Sequence, residues 1–188
     1  NNLPVERPES LYADNLKNAI SLFNKLDPDF IGFQEIDFNA ERSFSINQFR
    51  KIAMGAHYNY GAKAVNWDKK YVPFPYGLPS VNFGQVYSGQ AILSKYPIVD
   101  NEREVLIKPE NNPFYYNAFY LDRVAQIAKI KLNKTDLIII NVHLEAFDVP
   151  TREKQAITLL KIYRKYADDY PVLIIGDFNS TPPNRSEE

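Results

Sequence analysis

Three short stretches place residues able to do chemistry at the ends of apolar runs. Glu35 follows "FIGFQ", His143 closes "IIINV", and Asp177 with Asn179 follows "VLIIG". A carboxylate where a buried strand surfaces, with an amide two residues on, can handle a metal ion, a water or a phosphate oxygen. Three such strand ends on one rim of a sandwich would lie where sheet proteins commonly bind ligands. Each residue also has a plainer reading. Asp177 and Asn179 suit a strand-to-turn junction, because both side chains bond their own backbone. His143 alone reads as a core histidine, and Glu35 alone as a surface acid at a strand end. His57, beside Tyr58 and outside any motif, is assigned no role.

The elements that must carry these residues follow from periodicity. Tyr12, Leu16, Ala19, Ile20, Phe23 and Leu26 fall at helical spacing between Ser10 and Asp27, and Pro28 closes the pattern. "DFIGFQEID" reads as a short strand ending at Glu35. A shorter helix is expected from about Ile46 to Met54, stopped by Gly55. The stretch from Asn66 to Gly89, rich in Pro, Gly and aromatics, reads as a long irregular surface loop. "QAILSKYPIV" returns to strand. "DRVAQIAKIKL" and "DLIIINVHL" flank the turn "NKTD" and predict an antiparallel hairpin. Thr151 is the expected N-cap of a helix to about Asp169, burying Ala156, Ile157, Leu160, Tyr163 and Ala167. Strand, helix and strand in this order favour an α/β fold, a layered sandwich of mixed β-sheets flanked by helices.

Composition bounds the rest. The 188 residues, 45% of them apolar, with 13 Tyr, 12 Phe and 1 Trp, suit one domain with a sizeable core. No repeat or linker divides the chain, so residues 1–188 are read as a single domain. With no cysteine, disulfides, thiolate metal sites and thiol nucleophiles all drop out. A formal net charge of -1 argues against duplex binding by charge alone, although local basic patches leave a nuclease open. No apolar run approaches the ~20 residues of a membrane span. The opening "NNLPVERPES" reads as loop and has neither part of a secretory signal, which a preceding segment of a longer protein would have to supply. Compartment and oligomeric state stay open.

The blocks "FIGFQEID", "SGQAILSKYPI", "LDRVAQIAKIKL", "INVHLEAFD" and "IIGDFNSTP" occur in the order of the endonuclease/exonuclease/phosphatase superfamily, which the chain resembles from its first helix to the Pro182-Pro183 pair. The resemblance implies a hydrolase of phosphate esters dependent on Mg²⁺ or Mn²⁺, with Glu35 as metal ligand. His143 would bond phosphoryl oxygens, Asp177 would orient or deprotonate the attacking water, and Asn179 would order that aspartate's surroundings and contact a phosphate oxygen. Arg123 falls where several relatives grip phosphate; a solvent-facing arginine at a strand start is the alternative. Tyr87 and Gln90 are expected to be structural.

Two family features are missing: the opening strand ending in asparagine, and the closing Ser-Asp-His motif. A complete member would continue for on the order of 80 residues, so the chain is expected to be part of a longer protein and to need a partner or to aggregate alone. A small, sugar-linked or lipid-linked phosphate ester suits the charge and the aromatic stretch near Tyr71 to Phe83 better than duplex DNA. A nuclease is the alternative within the enzyme class, and an inactive scaffold module the alternative outside it.

Overall fold

The computed structural model describes residues 8–75, 82–110 and 112–181, so the opening loop, the tip of the 66–89 stretch and Pro182-Pro183 lie outside the described residues. Two sheets face each other. The first is antiparallel in the order β1 (Phe30–Ala40), β3 (Asn82–Ser94), β2 (Tyr60–Pro75). The second runs β4 (Ile98–Val105), β5 (Val124–Ile130), β6 (Leu137–His143), β7 (Val172–Asp177), antiparallel except for the parallel β6–β7 pair. Helices α1 (Glu9–Leu26) and α2 (Gln48–Gly55) cover the outer face of the first sheet, and α4 (Val149–Ala167) that of the second; α3 (Phe114–Phe119) lies in the β4–β5 connection. The expected layered sandwich of mixed sheets is the observed fold.

Strand parity builds these layers. Along β6, Ile138, Ile140 and Val142 face Leu159 and Ile162 of α4, while Ile139 turns inward to meet Ile92, Ala128 and Ile130. Successive side chains alternate between faces, so Asn141 and His143 share the inner face with Ile139. Each fully buried aliphatic side chain contributes about 1.5–3 kcal/mol. The polar residues placed among them must therefore be held by specific partners.

Several elements differ from the sequence reading. β1 does not stop at Glu35. Gln34 and Glu35 together oppose Gln90, a bulge that lets the strand run on to Ala40. The extra residue switches parity, so Ile31 before it and Ile36 and Phe38 after it all pack under α1 and α2. The broken alternation looked like a strand end because period two cannot survive an inserted residue.

The expected loop from Asn66 to Gly89 is mostly strand, the long arms of the β2–β3 hairpin. Trp67, Val72 and Val86 are buried there with Ala40 and Leu121, so tertiary packing overrides the Pro-rich local signal. "QAILSKYPIV" is divided, its first half ending β3 and its last residues opening β4. The β5–β6 hairpin forms as expected.

Helix α4 starts earlier than expected. Asp148 is its N-cap, accepting from the Thr151 backbone N–H at 2.8 Å, and Thr151 lies inside the first turn. Its buried face is also a different one: Thr151, Gln155, Leu159 and Ile162 go in, while Ile157, Leu160 and Tyr163 are exposed. Gln155 can be buried because its amide is used twice, accepting from Glu145 N at 2.8 Å and donating to Ile107 O at 2.7 Å. A count of apolar residues alone selects the wrong stripe. Among the described residues, no helix is long and apolar enough to cross a membrane.

Candidate active site

Glu35, His143 and Asp177 meet at one end of the sandwich. Parallel pairing sets His143 directly opposite Asp177, each the last residue of its strand. The β1 bulge brings Glu35 to the other side of the imidazole. Nδ1 of His143 lies 3.9 Å from Glu35 Oε1, and Nε2 lies 3.8 Å from Asp177 Oδ2. Both separations exceed a hydrogen bond, and His143 Nδ1 is buried without a partner among the described residues. The histidine is 5% exposed, whereas the two carboxylates are about half exposed. The result is a buried ring flanked by two acids that reach solvent.

Two residues of the site have left-handed backbone. Glu35 sits at φ 54° and Asn179 at φ 49°, left-handed values that cost a non-glycine residue free energy. Gly176 has φ 135°, and a Cβ there would lie 2.0 Å from the Val142 carbonyl oxygen. Only glycine lets β7 approach β6 closely enough to deliver Asp177. Beyond the strand, Asp177 Oδ1 accepts from Asn179 N at 2.8 Å, and Asn179 Nδ2 donates to Leu144 O at 2.9 Å. This is the turn of the plainer reading, and it orders the aspartate as well. Asp177 Oδ2 is left facing His143.

Arg123 is 3% exposed, which removes the solvent-facing alternative. Its Nη2 lies 3.3 Å from the Tyr120 hydroxyl, its Nε lies 3.7 Å from Glu145 Oε2, and neither Nε nor Nη1 has a hydrogen-bond acceptor among the described residues. Glu145 is fixed in turn, Oε1 accepting from the backbone of Ala146 and Phe147 at 3.1 Å each. Burial pushes the His143 pKa below the usual histidine value, and the Arg123 charge pushes it the same way; Glu35, Asp177 and Glu145 oppose them. At neutral pH the imidazole is uncharged and retains one N–H to donate.

Beneath the three residues lies a buried amide network that sequence reasoning missed. Asn141 Nδ2 reaches Phe33 O (3.0 Å), Ala91 O (3.2 Å) and Gln126 Oε1 (3.2 Å), and its Oδ1 accepts from Gln34 Nε2 at 2.7 Å. Gln90 Nε2 reaches Asn141 O at 3.2 Å, which accords with the structural role expected for it. Tyr87 packs on Phe38 with ring centroids 5.6 Å apart. The network ties β1, β3, β5 and β6 together at the bulge that carries Glu35. The available signal was spacing: an amide two residues before His143 in an apolar strand must share its inward face.

Among the described residues, no cluster of three or more His, Cys, Asp or Glu is disposed to hold a metal ion. The donors present still suit one kind of ion. Mg²⁺ is commonly bound through one or two carboxylates, with waters and substrate phosphate completing its shell. Half-exposed Glu35, with Asp177 beyond the imidazole, offers that sparse set of hard oxygen donors.

A two-sheet sandwich with acids, an imidazole and an amide on its rim defines a class that comparison makes explicit. The sequence profile of the Endonuclease/Exonuclease/phosphatase family matches residues 7–186, and the chain belongs to this family. No curated protein matches the chain. Among solved structures it is similar to an endonuclease/exonuclease/phosphatase from Bacteroides vulgatus (TM-score 0.63, 16% identity, 90% of this chain and 59% of that one). It is similar also to the mannosyl-6-phosphatase Bt3783 of Bacteroides thetaiotaomicron VPI-5482 (TM-score 0.61, 14% identity, 89% and 57%). A third is ANGEL2, a 2′,3′-cyclic phosphatase (TM-score 0.63, 16% identity, 95% and 47%). The chain thus spans 47–59% of the length of these three structures.

Proposed function

We propose that the protein hydrolyses phosphate esters by in-line attack of water, with a divalent metal ion, on a small, sugar-linked or lipid-linked substrate. The observation that carries this reading is the meeting of Glu35, His143 and Asp177 from three separate strands around one imidazole. Family membership supports it, and so do the phosphatase names of two similar structures.

Glu35 would hold Mg²⁺ or Mn²⁺, and the bound ion would neutralise charge on the phosphate oxygens. Asp177 orients or deprotonates the attacking water: its Oδ1 is fixed by the Asn179 backbone, and its side chain is half exposed. His143, kept neutral by burial, donates its N–H to a phosphoryl oxygen as charge grows there. Asn179 holds the Asp177 turn against Leu144, and its side chain would contact a phosphate oxygen. Arg123 supplies a fixed positive charge beneath the imidazole, favouring an anionic substrate and a neutral histidine together.

Hydrolysis of bis-p-nitrophenyl phosphate by the full-length protein tests the reading. Turnover should appear with Mg²⁺ or Mn²⁺ and vanish in excess EDTA. An unchanged rate in EDTA contradicts the metal-dependent reading, and no turnover with either ion contradicts the hydrolase itself.

A further inference from the structure

A second bulge lies one strand from the first. Val65 pairs with Gly89 and Trp67 with Ser88, so Asn66 is the extra residue of β2, beside the same stretch of β3 that faces Glu35. Its backbone carbonyl accepts from Asp122 N at 2.9 Å, joining β2 to the entry of β5. Its side chain is 6% exposed, and its Nδ2 has no partner among the described residues. A buried donor left unsatisfied is costly, so a water or a ligand atom is its expected partner.

Asn66 lines a cleft of about 140 Å³ that also includes Asp68, Lys69, Tyr120 and Asp122. At about 30 Å³ per water the space holds four or five, or the hydroxylated edge of a sugar ring. Its charges are mixed: Lys69, Arg103 and Lys108 are set against Asp68 and Asp122. Lys108 is taken up by Asp122 at 2.7 Å, and the Arg103 guanidinium donates to the Val65 carbonyl. A second phosphate would therefore meet Lys69 with the Asp68 carboxylate beside it, and a guanidinium already turned to a carbonyl. A neutral polyol meets what it needs, the Asp68 carboxylate to accept from its hydroxyls and an amide and an ammonium to donate to them. Tyr120 links the cleft to the site, since it lines the cleft and its hydroxyl lies 3.3 Å from Arg123 Nη2.

We propose that this cleft is a sugar subsite, taking hydroxyls of the alcohol portion of the substrate while the phosphate lies at the site of Glu35, His143 and Asp177. The inference rests on the phosphoesterase reading only in calling the sugar part of a substrate.

Binding is testable without turnover. Methyl glycosides of glucose, mannose and galactose, titrated into ¹⁵N-labelled full-length protein without metal, should for at least one sugar shift the Asn66 side-chain amide resonance saturably. Asp68→Ala, a change at an exposed position, and Asn66→Leu should each weaken that binding about tenfold, the order of one lost hydrogen bond. No saturable shift with any glycoside overturns the proposal. So does binding untouched by Asp68→Ala, or an Asn66 amide that responds to inorganic phosphate and to no sugar. Failure of bis-p-nitrophenyl phosphate hydrolysis would count against the phosphoesterase reading and leave the glycoside result to stand or fall by itself.

Discussion

At the scale of single residues, the site is a balance between two exposed acids and one buried base. His143 can remain neutral between carboxylates because burial and Arg123 outweigh Glu35, Asp177 and Glu145. The sign of the pH effect follows. A histidine held below its ordinary value leaves the unfolded chain to bind the proton first, so stability is full above about pH 6.5 and falls on acidification through the folded-state value. Thermal melts of the full-length protein should show that loss below pH 6.5, and His143→Gln should flatten it. The same substitution should lower kcat by about 10²–10³, the range for removing one donor to a developing oxyanion, with KM little changed. A variant with unaltered kcat would take His143 out of the chemistry.

The elements explain why three residues far apart in sequence arrive together. β6 and β7 bring His143 and Asp177 level by parallel register, and the β1 bulge turns Glu35 toward them. Asn141 is the tie. Replacing it with Leu removes the partner of Gln34 Nε2 and of Gln126 Oε1, and should cost about 1–3 kcal/mol in chemical denaturation. Because Gln34 adjoins Glu35, the variant should also lose metal-dependent activity at temperatures where it is still folded. Gly176→Ala should harm both properties as well, since the new methyl group meets the Val142 carbonyl. A melting temperature within a degree of wild type would contradict that account of β7.

Much of this was legible in the sequence at element level, and the failures have physical causes. Continuous apolar runs located β6 and β7, and an unbroken 3.6-residue period located the first helix. The β1 bulge broke that alternation, and the buried Gln155 was invisible to an apolar count. The aromatic residues of β2 and β3 read as loop because Pro and Gly dominate the local signal, although Trp67, Val72 and Val86 are core. Convergence on the site could not be read from spacing at all. It depends on which strands are neighbours, and five blocks in family order stood in for that knowledge.

For the whole molecule, the exposed apolar positions are informative. Ile157, Leu160 and Tyr163 line the outer side of α4, with Leu173 and Phe178 also exposed on and just after β7. Among the described residues β7 pairs on one side only. Such a surface favours association. The isolated 188-residue chain should therefore sediment as concentration-dependent oligomers or aggregates, and Leu160→Glu should shift it toward monomer. A monodisperse monomer at high concentration would show that this face is tolerated in water.

The central claim is that Asp177, held against His143, directs water at phosphorus. The most direct measurement compares wild-type and Asp177→Asn full-length protein in steady-state hydrolysis of bis-p-nitrophenyl phosphate with Mg²⁺, with melting temperatures recorded for both. The account predicts a variant that melts like wild type and turns over at background rate. A folded variant retaining most of the wild-type rate would contradict it.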